Sequence, residues 1–119
     1  MKALIIEDET LIAKNLSRLL KQIEPTVEVL AVLDSVSSSI KWLKENSAPD
    51  LIFMDIQLSD GVSFDIFGKT KIESPVIFTT AYNEYAIRAF KVNSVDYLLK
   101  PIDKEQLQHA IDKFKKYFG

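Results

Sequence analysis

Residues 51–55 read Leu-Ile-Phe-Met-Asp: four apolar side chains in unbroken succession, then a carboxylate. A strand with one wet face alternates apolar and polar residues. A run that is apolar at every position fits a strand covered on both sides, as in a parallel sheet between helices. On this reading a strand is expected over Leu51–Met54, with others over Ala3–Ile6, Val76–Thr79 and Tyr97–Leu99. Val27–Leu33 is more mixed and suits an edge position.

The segments between these runs carry helical spacing. Leu11, Ile12, Leu16, Leu19, Leu20 and Ile23 form one stripe; Val36, Ile40 and Leu43 form a second. Phe64, Ile66 and Phe67 mark a short third helix, and Ala86, Ile87, Ala89 and Phe90 a fourth. The last helix carries Leu107, Ala110, Ile111, Phe114 and Phe118; Asp103 and Gln106, three apart, have the spacing of a capping box. Ser74-Pro75 favours an extended lead into the fourth strand. Five strands alternating with five helices imply an α/β fold, a parallel sheet with helices on both faces. In such sheets a ligand site lies beyond the carboxyl ends of the strands.

Bulk composition narrows the function. The chain has 119 residues, 47% hydrophobic and 27% charged, enough for one domain with its own core. It contains no Cys, so disulfides and thiol chemistry are excluded and a cytoplasmic setting is expected. A net charge of −2 offers no general attraction to nucleic acid or to an anionic membrane surface. No apolar run is long enough for a membrane span.

Four of the five expected strands end in polar groups. The first ends in Glu7 and Asp8, the third in Asp55, the fourth in Thr79-Thr80 and the fifth in Lys100-Pro101. Three carboxylates brought together cannot all stay ionised without a cation or raised pKa values. A hard oxygen donor set with no His or Cys suits Mg²⁺. With the charge neutralised, the central Asp55 can attack phosphorus, while Lys100 and the Thr80 hydroxyl bind the remaining phosphoryl oxygens. Each residue also has a plainer role. Glu7 or Asp8 can cap the first helix, Asp55 can be a turn residue, Thr80 can satisfy a backbone group, and Lys100 can be a solvated loop charge. Those roles do not account for placement at four strand ends together.

The acidic pair in "LIIEDE", the segment "DLIFMDIQLSDG", the "TTA" and "DYLLKPI" resemble a bacterial response-regulator receiver domain over essentially the whole chain. The resemblance implies a flavodoxin-like (βα)5 three-layer sandwich with strand order 2-1-3-4-5. It implies that Asp55 accepts a phosphoryl group from a sensor histidine kinase, that Asp8 binds Mg²⁺ directly and Glu7 through water, and that Gln57 offers its backbone carbonyl. It further implies that Thr80 and Lys100 bind the acyl phosphate, that the Lys100-Pro101 peptide is cis, and that Thr80 and Tyr97 form the switch. The fourth helix (Glu84–Phe90), fifth strand and last helix are then the expected face of a homodimer, with Tyr82 and Tyr85 as candidate contacts.

"VIFTTAYNEYAIRAFKVNSVDYLLKPI" is similar to receivers of the LytTR type (LytR/AlgR-like). The usual output of these is a C-terminal DNA-binding domain, here expected after residue 119. The loop "DIQLSDGVSF" departs from many receivers in lacking a Pro soon after the acceptor.

Rival functions fit less well. An aspartyl-nucleophile hydrolase typically needs a second acid where Gln57 stands. A flavin carrier needs a phosphate cradle where this chain has "EDETL", and no G-x-x-x-x-G-K occurs for nucleotide hydrolysis. An unphosphorylated interaction module would have no use for an intact Glu7, Asp8, Asp55, Thr80 and Lys100 set. His109, the single histidine, is expected to be a solvated helix residue, and Trp42 to give half-buried packing.

Overall fold

The structure, a computed structural model, describes residues 1–81 and 94–118. The elements are β1 (Lys2–Ile6), α1 (Thr10–Ile23), β2 (Glu28–Leu33), α2 (Val36–Glu45), β3 (Leu51–Asp55), β4 (Gln57–Leu58), β5 (Gly61–Val62), α3 (Phe64–Lys69), β6 (Val76–Thr80), β7 (Ser94–Leu99) and α4 (Lys104–Tyr117). The main sheet is parallel with order β2-β1-β3-β6-β7. Without the small antiparallel β4-β5 hairpin, this is the 2-1-3-4-5 winding. The expected fourth helix (Ala86, Ile87, Ala89, Phe90) and Tyr82 and Tyr85 lie outside the described residues.

The unbroken apolar runs are explained by two-sided burial. Alternate residues of the central strands enter different cores. Ala3, Ile5, Leu51, Phe53 and Ile77 pack with Leu16, Leu20, Leu107 and Ile111 of α1 and α4. Leu4, Ile6, Ile52, Met54 and Phe78 pack with Phe64 and Ile66 of α3 and with Ile40 and Leu43 of α2. Every residue of β3 and β6 is buried, whereas β2, on the edge, is mostly half-buried. Trp42 packs part-buried on the second core and His109 is exposed, as their sequence context indicates. Asp103 caps α4: its Oδ1 accepts from the Gln106 N–H at 2.7 Å.

Three expectations change. Leu11, expected on the core-facing stripe of α1, is 81% exposed. It lies about 140° around the helix from Leu16, so it cannot share that residue's core-facing side. Phe118 falls just past the end of α4 and is exposed, its ring stacked on Phe114 at 6.4 Å. The last strand begins at Ser94, three residues earlier than its apolar run, because Ser94 and Asp96 at the sheet edge break that run while still pairing with β6.

Register delivers the strand ends to one place. Ile6 pairs with Met54, Asp55 with Thr79, and Thr80 with Leu99. Parallel strands in this register finish together, so Glu7, Asp55, Thr80 and Lys100 emerge side by side on one edge.

Candidate functional site

Glu7 follows β1 and is held by its backbone, whose N–H donates to the Leu33 carbonyl at 2.8 Å. Its side chain is buried, and Oε2 accepts from the Glu9 N–H at 3.2 Å. Neither Glu7 nor Asp8 caps α1; the cap residue is Glu9, whose side chain makes no cap bond. Asp55 ends β3 and is 5% exposed. Carboxylate oxygens of Glu7, Asp8 and Asp55 lie within 4.8 Å of one another, with Asp8 the most accessible of the three.

Lys100 is no solvated loop charge. Its Nζ lies 2.5 Å from Glu7 Oε1 and 3.0 Å from Asp55 Oδ2. Its backbone N–H donates to the Thr80 carbonyl at 2.7 Å, and the Lys100-Pro101 peptide is cis. Thr80 is buried beside these groups. A cavity of about 630 Å³ opens over the site, lined by Asp8, Asp55, Gln57, Thr80 and Lys100 on its polar side. Leu11, Ile12, Leu58, Pro101 and Ile102 make its apolar wall. Glu7 is not part of that lining and borders a second hollow with Asp8, Lys14, Asp34 and Ser38. Tyr97 is placed elsewhere, half-buried against the core shared by α2 and α3.

The electrostatics follow from burial and crowding. Burial pushes the Glu7 carboxyl above its ordinary range and the Asp55 charge adds to this, against the opposing hydrogen bond from Lys100. Asp8 is raised by burial and then by Glu7. Burial alone would lower Lys100, but the Glu7 and Asp55 carboxylates outweigh it and hold the ammonium charged to a higher pH than usual.

Because Glu7 binds a proton more readily when folded, it contributes stability as pH falls from its raised folded value towards its ordinary one. In cation-free buffer the thermal midpoint of the wild type is therefore expected to gain on that of Glu7→Gln as pH drops from 7 towards 5. A pH-independent difference between the two would count against this reading.

The donor set fits a hard divalent cation, with clustered carboxylate oxygens, no nitrogen or sulfur ligand, and an open side towards the cavity. The sequence patterns did not reveal what holds the loop after Asp55. Asp60 Oδ1 accepts from the Val36 N–H at 2.6 Å and Oδ2 from the Ser37 N–H at 3.1 Å, tying this loop to the start of α2. These amides pull the Asp60 carboxyl below its usual range. The only local signal was an Asp before a Gly. Its partners are more than twenty residues earlier in the chain.

Comparison with known proteins agrees with this arrangement. A family model described as the response regulator receiver domain matches residues 3–112. The sensory transduction protein LytT of Bacillus anthracis is 39% identical over 119 residues, covering 98% of this chain and 48% of its own. The transcriptional regulatory protein LytR of Staphylococcus aureus (strain N315) is 36% identical over 118 residues, covering 97% of this chain and 47% of its own. The chain thus spans about half the length of these curated relatives. Among solved structures, the response regulatory domain of mrkE from Klebsiella pneumoniae superposes with a TM-score of 0.85 at 30% identity, covering 99% of this chain and 98% of that one. With its doubly wound sheet and a family match over nearly all its length, this chain belongs to the response regulator receiver domains, the signalling domains of two-component systems.

Proposed function

We propose that this receiver domain is switched by transfer of a phosphoryl group from a histidine of a sensor kinase to Asp55. The observation that carries the proposal is the Lys100 ammonium bridging Glu7 and Asp55 within an acidic cluster at the mouth of the sheet. An Oδ atom of Asp55 attacks phosphorus, the P–N bond to the donor imidazole breaks, and its electron pair returns to the imidazole nitrogen. Asp8 and Asp55 directly, Glu7 through water and Gln57 through its backbone carbonyl are the residues that would hold Mg²⁺. When bound, that ion supplies charge neutralisation at the phosphoryl oxygens. Lys100 pairs with the oxygens of the acyl phosphate and the Thr80 hydroxyl donates to one of them.

Thr80 drawn towards the phosphate, with Tyr97 repacking beside β6, is the proposed switch. The response is a change of conformation and not turnover of a substrate. The LytT and LytR relatives are about twice as long as this chain. We take the rest of the protein to be a LytTR DNA-binding domain, acting in the cytoplasm, with homodimerisation through the segment expected from sequence as a helix (Glu84–Phe90), β7 and α4 as the coupling step. Incubation with a small-molecule phosphodonor and Mg²⁺, read by intact mass, tests the chemistry. A phosphoryl adduct that forms only with Mg²⁺ and is released by hydroxylamine is expected; an adduct stable to hydroxylamine would rule out an acyl phosphate.

The cavity wall sharpens the partner assignment. Leu11 is highly exposed and lines the cavity that opens over Asp55. An exposed apolar side chain there gives a kinase helix something to bury. Leu11→Gln, which removes the apolar surface without adding charge beside the acidic cluster, is expected to slow transfer from a phosphorylated kinase by about tenfold, the equivalent of roughly 1.4 kcal/mol of lost contact. Its labelling by the small-molecule donor stays at the wild-type rate. Equal slowing with both donors would place the defect at Asp55 and not at a docking surface.

A further inference from the structure

The loop after Asp55 leaves the sheet as a two-rung hairpin, β4 paired with β5. It is pinned on both sides of Gln57 by the buried side chains of Ile56 and Leu58. The Ser63 N–H donates to the Ile56 carbonyl at 2.7 Å and closes its base. At the tip the Asp60 carboxylate spans the Val36 and Ser37 amides, and Ser59 Oγ donates to the Asp34 carbonyl at 3.2 Å. Gly61 has φ +151°, and a Cβ there would lie 3.7 Å from Val36 Cγ2, so the hairpin passes close over the start of α2.

The N-terminus of α2 has a cap of its own. Ser35 Oγ accepts from the Ser38 N–H at 3.0 Å, and Ser39 N–H donates to the Ser35 carbonyl at 3.1 Å. Asp60 is therefore not needed to start the helix. Its two bonds do something the Ser35 cap cannot, because they couple the α2 terminus to the peptide segment bordering the acidic cavity.

We propose that Asp60 is a positioning residue, clamping the hairpin to α2 so that the main chain at Gln57 is held at the cation site beside Asp55. The proposal rests on the Mg²⁺-dependent reading above. The loop from Asp55 to Phe64 contains no Pro to fix its backbone, and these two charge-assisted hydrogen bonds stiffen it instead.

The test is Mg²⁺ binding by the unphosphorylated protein, measured by isothermal titration calorimetry, with thermal midpoints taken alongside. Asp60→Glu keeps the charge but cannot keep the same two-amide span, and Asp60→Asn keeps the shape but loses the charge. Both are expected to weaken Mg²⁺ binding by about tenfold, as removal of a group supporting a ligand does. Their phosphorylation by a small-molecule donor slows at low Mg²⁺ and recovers at saturating Mg²⁺. Ser59→Ala shifts binding the same way by less. Asp65→Asn removes a nearby carboxylate that makes no clamp, and leaves binding within about twofold, the residue of long-range charge.

Weakening in Asp60→Asn but not in Asp60→Glu would reduce the effect to charge and overturn the proposal. Unchanged Mg²⁺ binding with only a lowered thermal midpoint would make Asp60 a helix cap and overturn it equally. A wild type that binds Mg²⁺ more tightly than both Asp60 variants yet accepts no phosphoryl group sustains the clamp and removes the acceptor role from Asp55.

Discussion

Asp55→Asn is expected to abolish phosphoryl labelling while leaving the fold intact. The two side chains have nearly the same volume, so a residue that is 5% exposed can be exchanged without a cavity. The carboxamide lacks the anionic oxygen that attacks phosphorus, and no partial activity survives its loss, because the other acids are differently placed. Glu7 lies deeper, hydrogen-bonded to Lys100 and to the Glu9 amide. Asp8 is the most accessible member of the cluster but carries no bond to Lys100. The substitution also removes one of three crowded negative charges. In cation-free buffer the thermal midpoint should therefore hold or rise, and the gain on adding Mg²⁺ should shrink. Intact mass and thermal denaturation, each with and without Mg²⁺, measure both. A hydroxylamine-sensitive adduct persisting in the variant would move the acceptor to another carboxylate.

Lys100→Met tests the cation of the site. Methionine is of similar length and uncharged, so the packing of the stem survives while the ammonium disappears. Removing one partner of a fully buried ion pair costs about 3–5 kcal/mol, because a charge is left uncompensated. The cost here should be smaller, about 2 kcal/mol, because the site opens on a cavity and Glu7, already raised, can take up a proton.

The pH dependence has a definite sign. In the wild type, the raised Lys100 contributes stability present below the ordinary lysine value and lost as pH rises through its folded value. In the variant that contribution is gone, and the crowded carboxylates make stability climb as pH falls from 7. Denaturant unfolding at pH 7 and pH 5, with and without Mg²⁺, is expected to show a deficit relative to wild type that narrows on acidification and with Mg²⁺. A deficit indifferent to both would mean lost packing and not lost charge. Phosphorylation by a small-molecule donor should fall on the order of a hundredfold, the scale for losing one preorganised charge at a developing oxyanion.

Most of the architecture was legible in the order of residues. The unbroken runs at Leu4–Ile6, Leu51–Met54 and Val76–Phe78 can be satisfied only by cover on both faces, and the helical stripes between them supply that cover. The polar residues closing those runs were legible too, since a carboxylate or ammonium directly after a buried strand has few places to go but its mouth. What failed was local in origin. Leu11 is apolar, yet its angle around α1 turns it away from the core, and Ser94 and Asp96 interrupt the apolar run at the start of β7.

From sequence alone came the five strands of the main sheet, the helices described between and after them, the parallel α/β class and the chemical inventory of the site: acids, a hydroxyl and a lysine, with no Cys and no second His; the β4-β5 hairpin was not among them. Each of these depends on spacing within one segment, where apolar periodicity and strand-end chemistry act over a few residues. Only the tertiary structure decided that Lys100 sits between Glu7 and Asp55, that Leu11 faces the opening, and that Asp60 grips the start of α2. Those placements bring together groups from separate segments, side chains and main-chain amides alike, and their ångström-scale distances are set by sheet register and helix packing, which no single segment encodes.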